Sequence, residues 1–243
     1  MRVTFLTVLL AASLSAEELF IPVVVQKQGQ EGAWWNTEVW VVNTTGEMGR
    51  WGAVFLPAGQ PNGELLRQEP EFFEELPGWA STVRTDLVPQ GGLGALRLVT
   101  SPGVVAVARV YNASGRVSSG QFIPALPRDQ ALRRGEVVHL VGLRRSAQFR
   151  TNLLLFAPGP EGVTVRLRTF GERGEVYGEQ AYGLAPGALL PLEDILLAFG
   201  VQRTDAARAE VSGSGPFFAL ASVVDSRSGA ASLAWPLRPG GPR

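Results

Sequence analysis

The chain has 243 residues, 45% of them hydrophobic, and its 22 basic residues balance 22 acidic ones. That balance argues against a general nucleic-acid binder, which carries a basic excess or stripe. The chain has no cysteine and one histidine, which excludes disulfides, thiolate or His/Cys metal sites, a cysteine nucleophile and a lipid-modified cysteine.

From the start of the chain, Met1-Arg2, the apolar run Val3–Ala12 and small residues up to Ala16 read as a signal peptide over 1–16, cleaved before Glu17-Glu18. The run is too short to span a bilayer as a resident helix, and no later segment is apolar enough to do so. A secreted, periplasmic or cell-surface protein is expected, with no membrane insertion after cleavage. Lys27 is the only lysine; the other 21 basic residues are arginines.

Short runs rich in Val, Leu, Phe and Trp follow, separated by many of the 29 glycines and 17 prolines. They predict strands at 19–26, 35–43, 50–57, 94–100, 104–111 and 118–124 in a first lobe spanning 17–126. A charged, turn-rich linker is expected over 127–135. Strands at 136–143, 149–156, 162–169, 176–182, 207–213, 217–224 and 230–235 then fill a second lobe over 136–237, and 238–243 reads as a flexible tail. Pro191 to Gly200, with an early Pro, early acids and a final Gly, predicts one short helix. Tyr111–Gly115 and Asp225–Gly229 read as hairpin turns, where Asn, Asp and Ser bond their own backbone. The acidic cluster Glu64, Glu69, Glu71, Glu74 and Glu75 reads as a solvated loop or edge.

The two lobes repeat. Trp35–Val42 aligns with Phe149–Phe156, and Ala95–Gly115 with Ala209–Gly229, both at an offset of 114 (149 − 35 and 209 − 95). One offset shared by two distant blocks predicts a duplicated module of roughly 110 residues. The expected fold is therefore all-β: two tandem β-sandwich-like lobes related by an internal repeat, each with at most one short helix.

Phe20-Ile21-Pro22-Val23, Trp34-Trp35-Asn36-Thr37-Glu38, Ala108-Arg109-Val110-Tyr111-Asn112 and Gln121-Phe122-Ile123-Pro124-Ala125 recur in an order and spacing that resembles a group of uncharacterised exported bacterial proteins. Phe149-Arg150-Thr151-Asn152 and Phe217–Asp225 continue the series in the second lobe. The resemblance covers nearly the whole mature chain. It implies extracytoplasmic β modules and brings no catalytic motif. Asn36-Thr37-Glu38 stands where Arg-Thr-Asp is expected, so the resemblance does not carry an arginine-dependent pairing over to that lobe.

Tests for chemistry return little. Gly91-Gly92-Leu93-Gly94 precedes a strand and lacks the Lys-Ser/Thr of a phosphate loop, and Gly213-Ser214-Gly215 is followed by Pro216 and a strand, with no histidine partner. His139 lies in a strand and reads as structural, and Asp225 reads as a turn cap before it reads as a calcium ligand. A non-enzymatic protein is expected, with no cofactor and no metal.

The aromatic strand is the most informative surface. Alternation puts Trp35, Thr37, Val39 and Val41 on one face, read as core, and Trp34, Asn36, Glu38, Trp40 and Val42 on the other. The equivalent second face in the other lobe holds Arg150, Asn152, Leu154 and Phe156. Two readings follow. Either the second faces pack together with pseudo-two-fold symmetry, making Trp40, Val42, Arg150, Leu154 and Phe156 a lobe interface in which Arg150 needs a partner. Or Trp34, Asn36, Glu38 and Trp40 form a carbohydrate platform, with Trp51 or Trp79 contributing. The matching functions are a structural, adhesive or assembly role, with self-assembly or a cell-surface partner, and alternatively carbohydrate binding. Free edge strands offer a further route to pairing with another chain.

Overall fold

A computed structural model describes residues 16–29, 33–114 and 117–239. The expected signal peptide up to Ser15, Gly115 of the first expected hairpin turn, and the last four residues of the expected tail lie outside the described residues.

The fold is all-β. Its strands are β1 (Glu17–Gln28), β2 (Trp34–Asn43), β3 (Gly49–Pro57), β4 (Glu74–Leu76), β5 (Ser81–Arg84), β6 (Gly92–Thr100), β7 (Val104–Ser114), β8 (Val117–Pro124) and β9 (Leu126–Pro127). The second half continues with β10 (Val137–Arg145), β11 (Phe149–Phe156), β12 (Val163–Phe170), β13 (Val176–Leu184), β14 (Leu189–Leu192), helix α1 (Ile195–Ala198), β15 (Thr204–Gly213), β16 (Phe218–Asp225) and β17 (Ala231–Ala234). Every strand expected from alternation is present. The four unexpected ones, β4, β5, β9 and β14, have four residues or fewer, too short for a period-two signal.

In the first half one nine-stranded sheet runs β4-β3-β6-β1-β2-β7-β8, with β5 added to β2 and β9 to β1. It folds over because β1 serves both layers. Its register shifts between Ile21 and Val24, around Pro22, which has no N–H to give a ladder. Before and after that bulge β1 pairs with β6, and its last residues pair with β2 through Lys27–Trp35 and Gln28–Trp34. The second half is two separate sheets, β10-β15-β12-β13 and β14-β11-β16-β17. Divided at β1, the first half reads β4-β3-β6-β1 and β5-β2-β7-β8, the same order strand for strand.

Two cores result. The second lies between the two sheets of the second half and includes Leu153, Leu155, Val165, Val211 and Phe217. The first fills the folded sheet of the first half, and Leu154, Phe156, Leu189, Phe218 and Leu220 of the second half belong to it as well. The sheet of β11 and β16 is thus a middle layer covered on both faces. This accounts for Leu153-Leu154-Leu155-Phe156, a continuous apolar run where a half-solvated strand would alternate.

Three expectations are corrected in detail. The segment 127–135 is packed: β9 joins β1, a short 3-10 turn spans Arg128–Gln130, Ala131 enters the first core, and Leu132 enters the second and bridges Phe217. The first residue of the expected tail is held too: Arg238 pairs with Glu136, next to Leu237, which bridges His139. The expected helix is shortened to α1, because Leu189–Leu192 adds to β11 as an edge strand, where Pro191 is tolerated. Asp194, at φ 40°, makes the abrupt change of direction, and its carboxylate pairs with Arg145 at 2.9 Å.

Candidate functional site

Strand β2 alternates as its sequence demands. Thr37, Val39, Val41 and Asn43 are buried, while Asn36, Glu38, Trp40 and Val42 are half-exposed and Trp34 is exposed. Thr37 reaches inward to β1, where its hydroxyl accepts from Val25 N and donates to Val25 O, both at 2.8 Å.

The outward face of β5-β2-β7-β8 gathers apolar groups from several parts of the chain. Trp40 sits between Val83 on β5 and Val107 on β7, and Val42 lies opposite Val105. Phe122 of β8 is 61% exposed and its ring centre lies 6.0 Å from that of Trp40, tilted by 52°. Val83 and Val105 are also exposed. One step along the strands, Glu38 faces Arg109 at 3.7 Å, and Arg109 donates to Ser118 Oγ at 2.7 Å and lies 4.6 Å from the Tyr111 ring centre. Burial, followed by the neighbouring Glu38 carboxylate, raises the Tyr111 phenol above its ordinary value. Asn36 is committed locally: its amide donates to Trp34 O at 3.2 Å and its carbonyl accepts from Gln26 Nε2 at 3.3 Å.

The two proposed roles of Trp40 are thereby separated. Trp40 and Val42 do not lie between the halves, as the symmetric-interface expectation required. Of that set, Leu154 and Phe156 do: Phe156 lies 5.7 Å from Phe20 of β1 and stacks on Phe218 at 6.2 Å. The second half presents its second face to the interior side of the first, near β1 and Trp35, so the contact is asymmetric. Alternation tells which residues share a face, but not which face of a neighbouring sheet will meet them. Arg150 is half-buried there and donates to Ser226 Oγ at 3.0 Å.

Of the auxiliary tryptophans, Trp51 is wholly buried, edge-on to Phe72 at 5.7 Å, and cannot meet a ligand. Trp79 is 75% exposed in a loop, with φ 63°. His139 lies opposite Glu210 in the β10–β15 ladder and exchanges two main-chain hydrogen bonds with Leu237, and its Nδ1 is 3.5 Å from a guanidinium nitrogen of Arg208. Asp225 caps its turn: Oδ1 accepts from Arg227 N at 2.8 Å, and Gly229 closes the turn with φ 67°. Sequence reasoning missed Phe122, Arg109 and Tyr111 as members of the outer face. Parity along Gln121-Phe122-Ile123 could have found Phe122, since Ile123 is so plainly a core residue.

No protein-family model matches the chain, and no curated protein is similar to it. Among solved structures, one titled "Crystal Structure of Thermotoga maritima 1070" is similar at 13% identity and a TM-score of 0.38, covering 45% of this chain and 98% of that one. A structure of infectious bursal disease virus, Gt strain, is similar at 9% identity and a TM-score of 0.20, covering 93% of this chain and 69% of that one. Neither likeness carries a functional argument.

Proposed function

We propose that this is an exported, non-enzymatic β protein with an assembly role, which associates with a second copy of itself through the outer face of β5-β2-β7-β8. The observation that carries this reading is the row Val83–Trp40–Val107, flanked by Val105 and Phe122, open to solvent across four strands. An apolar centre built around Trp40, with Tyr111 and Arg109 at its margin, has the composition of an interface core. A second copy fits because, beside the apolar row, the described residues of the face place Glu38 next to Arg109, so a two-fold related face can meet each with its opposite. The balanced charge of the whole chain adds no long-range self-repulsion.

The signal-like start of the chain supports export. The common strand order supports descent of the two halves from one duplicated module. So does a shared detail: Thr151, at the place equivalent to Thr37, accepts from Arg144 N at 3.0 Å and donates to Arg144 O at 2.8 Å.

Carbohydrate binding is the competing reading, and local geometry disfavours it. Trp34 and Trp40 lie six residues apart on one strand, roughly 20 Å. Between them, Asn36 and Glu38 already bond within the chain.

Light scattering on residues 17–243 over a range of concentrations, with glycan-array binding on the same sample, tests the proposal. Concentration-dependent dimers that Phe122→Glu turns into monomers of unchanged thermal stability are expected. A monomer at every concentration overturns self-association. If that monomer binds a defined sugar and loses it on Trp40→Ala, carbohydrate binding replaces it.

A further inference from the structure

The halves do not close fully where they meet. A cleft of about 150 Å³ lies between the interior side of the first half and the β11–β16 face of the second. Its floor is apolar, made by the buried Val23, Val25, Ile123, Leu154 and Val224. Trp35 forms one wall, and Gly29 lies so close that a Cβ there would come within 2.7 Å of the indole nitrogen. The mouth is polar: half-buried Lys27, Arg150 and Gln121 line it, with Glu193 exposed at its rim.

Three features define what would fit. A cavity of about 150 Å³ accepts one benzene-sized group, so the apolar floor holds a single ring or a branched aliphatic. Lys27 and Arg150 bring two cations against one carboxylate, Glu193, so the mouth favours an anion. Among the described residues, Arg150 donates only to Ser226 Oγ, leaving further N–H groups for a planar carboxylate. Third, Gln121 Oε1 is buried without a hydrogen-bond partner, an acceptor that calls for a donor.

We propose that this cleft binds a small carboxylate with a hydrogen-bond donor beside it and an apolar body, the chemistry shared by apolar α-hydroxy and α-amino acids. The carboxylate lies between Lys27 and Arg150, the neighbouring O–H or N–H donates to Gln121, and the body rests on the Val23–Ile123–Leu154 floor. The site is independent of the outer face and of any self-association there.

Lys27 makes the test specific, because it is the only lysine in the chain and a single acetylated peptide reports on the cleft. The rate of Lys27 acetylation, read by mass spectrometry, is measured against added 3-phenyllactate, phenylalanine, phenylacetate and phenethylamine. Phenyllactate or phenylalanine is expected to protect at roughly tenfold lower concentration than phenylacetate, which has no donor, and phenethylamine not at all. Arg150→Met should weaken protection about tenfold or more. Gln121→Leu, at the mouth, should abolish the preference for phenyllactate over phenylacetate, which a purely structural role would leave in place. Protection by none of the acids at about 10 mM, or equal protection by phenethylamine, overturns the proposal.

Discussion

The hydroxyl of Thr37 exchanges two hydrogen bonds of 2.8 Å with the main chain of Val25, one in each direction. With Thr37 only 3% exposed, these bonds tie the two layers of the first half together from inside the core. Thr151 does the same to Arg144 in the second half. Thr37→Val keeps the shape but strands one buried N–H and one buried C=O, and should cost about 2–4 kcal/mol. Thr37→Ser keeps both bonds and should cost about 1 kcal/mol for the lost methyl. Denaturant midpoints of the two variants measure the difference; equal losses would mean the bonds contribute nothing.

Phe156 and Trp40 should behave oppositely on truncation. Phe156 is wholly buried between Phe20 and Phe218, so Phe156→Ala should cost about 3–5 kcal/mol. Because that ring joins the halves, calorimetry should also show the single transition broadening or splitting. Trp40 is half-exposed on the outer face, and Trp40→Ala should cost less than about 2 kcal/mol. A larger loss at Trp40 than at Phe156 would contradict the asymmetric packing.

Two strand glycines give a further contrast. A Cβ on Gly94 of β6 would collide with the Leu56 carbonyl oxygen and the Phe55 ring, so Gly94→Ala should destabilise by about 2–4 kcal/mol. Gly183, on the edge strand β13, has open space around its missing side chain. Gly183→Ala should therefore be neutral or gain about 0.4–1 kcal/mol by restricting the unfolded chain. Thermal melts of both variants decide it.

The turn between β16 and β17 should depend on acid pH. Gln148 Nε2, at 3.0 Å, and then the Arg227 N–H hold the Asp225 carboxyl below its ordinary value of 3.8. A carboxyl depressed in the folded state contributes stability that is fully present above 3.8 and is lost as pH falls through the depressed value. Asp225→Ala should therefore lower the denaturation midpoint at pH 6, and the gap to the natural protein should close towards pH 2. A gap that stays constant with pH would show that the ionised carboxylate plays no part.

Much of the fold could be read from the chain because its signals are local. Alternation in Trp34–Asn43 assigned each side chain to a face, and Thr37 inward with Trp40 outward follows from parity alone. Asp225 through Gly229 contained its own turn chemistry. Strands β4, β5, β9 and β14 were not legible, because each is too short to alternate and owes its conformation to a neighbour's free edge. Pro191–Gly200 misled because its helix signals are weak beside the ladder that Leu189–Leu192 forms with β11.

The sequence by itself determined the all-β class, the main strands and the two faces of each, since these depend on side chains a few residues apart. Only the tertiary structure decided which faces are covered. Leu154 and Phe156 are buried against β1, while Trp40 and Val42, at corresponding parity, remain outside. The physical reason is that docking depends on the shape and opening of the other half, which no periodicity within a strand encodes. The same long-range fit brought Lys27, Gln121, Arg150 and Glu193, spread over most of the chain, to one cleft.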